Sequence, residues 1–116
     1  MTYSEKVKAS KRLLEAIYGL KDGEHVVVTY GKDYNGDPKR FRIRCSVFQH
    51  SGPSYSIFKD DVWSMDGMNI DSFSKTTARA YTFDLMGQKT TYNFPLYAMP
   101  IVEEPYKEFT HNEQFA

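Results

Sequence analysis

The chain carries a single cysteine, Cys45, among 116 residues. One thiol excludes an internal disulfide and any metal site built from several thiolates of one chain, and it suits a reducing compartment. Long apolar runs are missing too. None approaches the ~20 residues a membrane span needs, and the stretch from Met1 to Gly19 is too polar for a secretory signal. A cytoplasmic location without membrane contact is the expectation. Net charge is also absent, because fifteen basic residues cancel fifteen acidic ones, so any electrostatic binding must be local.

Catalytic signatures are missing as well. Seven glycines are dispersed along the chain, and none forms a phosphate-cradling motif. There is no G-x-S-x-G elbow. His25, His50 and His111 lack any spacing that brings two imidazoles to one helix face, and Asp60, Asp61, Asp66 and Asp71 lack the rhythm of a calcium loop. No cofactor or metal is expected, and the chain reads as a non-enzyme. A small enzyme whose site is assembled from these dispersed His and Asp residues stands third, behind two binding readings.

What the chain has in quantity is aromatic side chains: nine Tyr, eight Phe and one Trp, 16% of the residues. Such a composition leans towards β structure, and the length suits one domain over residues 1–116. Residues 1–20 read as an amphipathic helix. Thr2 and Glu5 have capping-box spacing, while Tyr3, Val7, Leu14 and Ile17 recur at helical spacing with Leu13 widening the stripe. Gly19 is expected as a left-handed C-terminal cap.

Residues 24–97 read as an antiparallel β region. The strand from Glu24 to Tyr30 and the return from Arg40 to Phe48 flank Asn35-Gly36, a dipeptide suited to a two-residue type I′ turn. That turn sets Val28 opposite Ile43 and Val26 opposite Cys45, which points Cys45 inward, where a desolvated thiol is inert. His50 to Ser54 is a loop by composition, and Tyr55 to Phe58 a short strand. Asp66-Gly67 closes a second hairpin with Trp63 against Ile70, or the segment is an irregular loop carrying an exposed Trp63. Further on, Gly87-Gln88 fits a type II′ turn that sets Phe83 opposite Tyr92 and Tyr81 opposite Phe94. The expected core therefore contains Leu14, Ile17, Val26, Val28, Ile43, Tyr81, Phe83 and Phe94. Residues 98–116 read as an extended tail. The fold class is α+β, an N-terminal helix packed on a roughly five-stranded antiparallel sheet or partly open small barrel.

Function has to come from local features, and the densest is basic. Lys39, Arg40, Arg42 and Arg44 lie within six residues, and three of them project from one strand face roughly 6.6 Å apart. Guanidinium forks at that repeat meet a line of carboxylates or a phosphate backbone. The opposing explanation is the solvent side of a half-buried strand. Tyr34, Phe48 and Tyr55 supply aromatic neighbours, and Trp63 offers a second contact point. The leading expectation is a small non-catalytic binding protein, an adaptor or inhibitor of the kind many viruses encode, that occupies an acidic surface of a partner protein. A single-stranded nucleic-acid module using the same arginines with stacking rings is the runner-up. Zero net charge disfavours it, because non-specific nucleic-acid affinity comes mostly from neutralised phosphates. A second copy of the chain is left open as a further partner.

Overall fold

Thr2 and Glu5 start the first element as their spacing predicts. The Thr2 hydroxyl accepts from the Glu5 N–H at 3.2 Å while the Glu5 carboxylate accepts from the Thr2 N–H at 3.2 Å, which satisfies two orphan donors at once. In this computed structural model, residues 1–59 and 67–102 are described. They form helix α1 (Tyr3–Tyr18), strands β1 (His25–Lys32), β2 (Pro38–Phe48), β3 (Gly52–Lys59), β4 (Gly67–Phe73), β5 (Thr77–Phe83) and β6 (Lys89–Pro95), and a 3-10 turn over Leu96–Ala98. Each strand pairs antiparallel with the next, in the order β1-β2-β3-β4-β5-β6. The sheet curls into a half-barrel. Tyr30 of β1 and Phe41 of β2 both reach Phe94 of β6, with ring centroids 6.1 and 6.2 Å apart.

The α+β class is as the sequence predicts, with six strands in place of about five. The additional strand is β4, in the stretch whose pattern is weakest. Ile70 pairs with Tyr55 on one side and Ala80 on the other, which removes the alternative that sets it against Trp63; Trp63 itself lies outside the described residues. Strand β3 also starts earlier than composition suggests, with Pro53 paired to Val47.

Two hairpin loops share one backbone design. In Asp33 to Asp37 and in Asp84 to Gln88 the first N–H donates to the fifth carbonyl, at 2.8 and 3.0 Å, and the glycine N–H donates to the first carbonyl at 3.0 Å in both. The aspartate carboxylate accepts from the third and fifth N–H groups. Gly36 and Gly87 take φ of +87° and +78°, the left-handed position that closes a three-residue loop. Neither is the two-residue turn expected, and the consequences differ. In the first hairpin the longer loop shifts the register by one, and a bulge at Gly31 (φ +68°) between Thr29 and Lys32 shifts it by one more. Val28 therefore pairs with Phe41 and Val26 with Ile43, an even slip that leaves every face where alternation put it. In the second hairpin no bulge intervenes. Phe83 pairs with Lys89 and Tyr81 with Thr91, an odd slip that turns Tyr81 and Phe83 away from the core and brings Ala78 and Ala80 in.

The concave side of the sheet holds the core: Val28, Ile43, Ile57, Ala78, Ala80 and Phe94, closed by Leu13 and Ile17 of α1. Leu14 and Val26 pack partly buried against it. The helix is turned relative to the predicted stripe, so that Ser10 is buried on its seam while Tyr3 is exposed. A small side chain lets the helix approach closely, and the Ser10 hydroxyl is satisfied by donating to the Lys6 carbonyl at 2.7 Å. Gly19 sits at φ −83° and not in the left-handed region; the last turn instead tightens through Leu20 N–H to the Ile17 carbonyl at 3.1 Å.

The predicted tail is structural where it is described. Met99 is buried in the core, as is Leu96 just before the predicted tail begins. The next three residues line the free edge of β1: Thr29 N–H donates to the Pro100 carbonyl at 3.0 Å, Ile101 bridges Val28, and Val102 N–H donates to the Val27 carbonyl at 2.8 Å. An edge that would otherwise expose its ladder is thereby paired.

Cys45 is wholly buried on the concave side, opposite Tyr55. Desolvation pushes its thiol up from the ordinary value, and the carboxylates of Asp22 and Glu24 push it further the same way. Because the thiolate is the reactive form, the native protein is expected to resist iodoacetamide at neutral pH and to label fully in denaturant. Rapid labelling of folded protein, read by mass spectrometry, is the contrary result.

Candidate interaction face

The site is built on the convex side of the sheet, where no described helix or strand packs. Alternation along β2 sends Phe41, Ile43 and Cys45 inward, so Arg40, Arg42 and Arg44 stand outward. Their lateral partners on β1 are Thr29, Val27 and His25, of which Val27 is buried at 4% exposure. Arg40 and Arg44 are exposed, whereas Arg42 is half-buried, because its guanidinium lies 5.7 Å from the centroid of the Phe58 ring on β3, a cation–π arrangement. Phe58 in turn covers Gly67 on β4: a Cβ on that glycine would overlap the ring. Glycine at this position opens the space into which the ring folds.

The other predicted contact residues do not converge on the row. Lys39 is exposed next to Arg40 at the start of β2. Tyr34 is 98% exposed at the tip of the first loop, and Phe48 is 55% exposed at the far end of β2. Those two rings flank the arginines from opposite ends. Phe48 is four residues beyond Arg44, about 13 Å along the strand. Tyr55 is on the concave side, edge-on to Tyr18 and Phe73 with centroids 6.3 and 5.5 Å apart, so it offers no platform. Trp63 falls outside the described residues.

Sequence reasoning misses the aromatic part of this face. The odd slip of the β5–β6 hairpin places Tyr81 and Phe83 outward, on the same side as the arginines. Cross-strand pairing links Arg44, Ser56, Asn69, Tyr81 and Thr91 in one line across the sheet. Tyr81 and Phe83 meet edge-on at 5.7 Å, and the Lys89 ammonium sits 4.4 Å from the Tyr81 ring centroid. Three strand spacings separate β2 from β5, about 14 Å. Between them Asp71 accepts from Ser72 at 3.1 Å and from Arg79 at 3.2 Å. Desolvation alone would raise the Asp71 carboxyl, but those two hydrogen bonds and the charges of Arg79 and Lys89 outweigh it and hold it below its ordinary value. The loop aspartates that signal three-residue turns, Asp33 and Asp84, are the clue that would have set the register and revealed Tyr81 and Phe83.

Among the described residues no group of three or more His, Cys, Asp or Glu is arranged to hold a metal ion, and no helix is long and apolar enough to cross a membrane. An open groove of about 350 Å³ lies between α1 and the chain after β6, lined by Ala9, Arg12, Leu13, Met99 and Ile101 among others. The face carries Arg40, Arg42 and Arg44 at one side, the Phe58, Tyr81 and Phe83 rings with the Asp71–Arg79 pair further across it, and Lys89 on β6. No family model, curated protein or solved structure matches the chain.

Proposed function

We propose that the protein is a non-catalytic binding protein of the adaptor or inhibitor type, whose convex sheet face docks on an acidic surface of another protein. The observation that supports the reading is the union of Arg40, Arg42 and Arg44 with Phe58, Tyr81 and Phe83 on one face of the sheet. Arginine and aromatic side chains are the types that anchor protein interfaces, the rings supplying desolvated contact area and the guanidinium groups planar pairing to carboxylates. Single-stranded nucleic acid has less support. The rings expected beside the arginines as stacking platforms do not gather there, since Tyr34 and Phe48 stand at opposite ends of the arginine strand and Tyr55 is on the concave side.

A labelled mixed-sequence oligonucleotide separates the two readings by fluorescence anisotropy. Neutralised phosphates give tight binding that weakens steeply with salt. The protein is expected to leave the oligonucleotide free even at low salt. Salt-sensitive binding that disappears in an Arg40→Glu/Arg44→Glu variant would transfer the face to the nucleic-acid reading.

A further inference from the structure

The exposed ladder edge of β6 and the apolar tip of its hairpin point to the same occupant. The β5–β6 register runs without a bulge from Thr77↔Pro95 to Phe83↔Lys89. At its ends, Asp84 N–H donates to the Gln88 carbonyl and Leu96 N–H to the Thr76 carbonyl. Hydrogen-bonded and non-bonded pairs alternate in an antiparallel ladder, so Thr90, Tyr92 and Phe94 bond inward to β5. Lys89, Thr91 and Asn93 then aim their N–H and C=O groups at the free edge. Among the described residues nothing pairs with that edge, while the opposite edge of the sheet is covered by Pro100 to Val102. Pro95 ends the run, having no N–H to offer.

An edge of this kind is recognised by another extended strand, and its own sequence fits a second copy. Placed on a two-fold axis at Thr91, two β6 strands pair antiparallel with Thr91 opposite Thr91 and Lys89 opposite Asn93 on both sides. All three outward-bonding residues of each strand are then used, and no like charges meet. An axis at Lys89 sets two ammonium groups against each other, and one at Asn93 sets Thr91 against a proline that cannot donate. The Thr91 axis also accounts for the hairpin tip. Leu85 and Met86 are 106% and 90% exposed, although the twin loop, with the same aspartate and glycine bonds, carries Tyr34 and Asn35 at the equivalent positions; the turn does not require apolar side chains. In the two-fold pairing each tip runs past the partner's Pro95 to the level of the partner's Leu96, beside the groove next to α1.

We infer that the chain forms a two-fold dimer through antiparallel pairing of its β6 edges about Thr91, with Leu85 and Met86 of each copy lodged against the chain that follows β6 in the other. The test is sedimentation equilibrium across micromolar to high micromolar concentrations. Wild-type protein is expected to approach twice 13.5 kDa as concentration rises. Thr91→Lys places two ammonium groups on the axis, and Thr91→Pro removes only an outward-facing donor; both are expected to remain at the monomer mass with an unchanged circular dichroism spectrum. Leu85→Ser/Met86→Ser is expected to shift the association midpoint several-fold to higher concentration. A wild-type mass of 13.5 kDa throughout, or a dimer that survives in both Thr91 variants, overturns the inference.

Discussion

Leu96→Ala combined with Met99→Ala is expected to leave the chain largely unfolded at 25 °C, with the loss of tertiary signal in near-ultraviolet circular dichroism as the readout. Both side chains are almost wholly buried, at 1% and 2% exposure, and both belong to the cluster that joins α1 to the sheet. Truncating a buried Leu or Met to Ala costs about 2 to 5 kcal/mol each, from lost transfer energy and the cavity left behind. Neighbouring sites need not add, but the pair approaches the roughly 5 to 15 kcal/mol that stabilises an ordinary domain. The segment from Leu96 to Val102 also carries the bonds that pair the β1 edge, so loosening its anchors exposes that ladder. A double variant that melts within a few degrees of wild type would mean that the helix and sheet are held together without this segment.

Ile43→Ala is expected to lower stability by about 2 to 5 kcal/mol, a fall in Tm of about 10 °C or more for a domain of this size. Ile43 is fully buried at the middle of β2, paired with Val26 on one side and Ile57 on the other. Strands on both sides fix the backbone and leave little room for collapse into the vacated volume. Thermal denaturation followed at 222 nm reads the effect. A change of under 1 kcal/mol would place Ile43 at a site that repacks freely.

Local chemistry explains which parts of the fold the sequence makes legible. The capping box at Thr2 and Glu5 involves neighbours three residues apart, so its outcome needs no tertiary knowledge. Strand faces in the first hairpin are right for a reason the pattern does not display. The loop is one residue longer than Asn35-Gly36 suggests, and the bulge at Gly31 restores the parity. The second hairpin lacks that compensation, so the aromatic alternation of Tyr81 and Phe83, which looks like a core face, proves to be the outer face. Ala78 and Ala80, too small to register in a hydrophobicity pattern, line the interior because α1 and the chain after β6 fill the space above them. Leu96 and Met99 are unreadable for a related cause: a 3-10 turn of three residues and the residue after it have no period, and their burial depends on partners about eighty residues earlier in α1.

The candidate face is legible only in its basic half. Arg40, Arg42 and Arg44 stand two apart on a strand, and alternation alone places them together. The aromatic half depends on the β5–β6 register, hence on whether Asp84 and Gly87 close a three-residue loop. Arg42 shows how the halves are joined, since its guanidinium rests on Phe58 and Phe58 on Gly67, a contact set by pairing across three strands. That support also decides which residues to alter. Reversing charge at the exposed Arg40 and Arg44 leaves the stack beneath Arg42 in place.

The most direct measurement compares three immobilised chains in affinity capture from one cell extract: wild type, Arg40→Glu/Arg44→Glu, and Lys8→Glu/Lys11→Glu on the solvent side of α1. Each variant is first matched to wild type by circular dichroism. The account predicts that an acidic protein is retained by wild type and by the helix variant and is lost from the Arg40→Glu/Arg44→Glu chain. Retention by that chain with loss from the helix variant would contradict it and move the contact to α1.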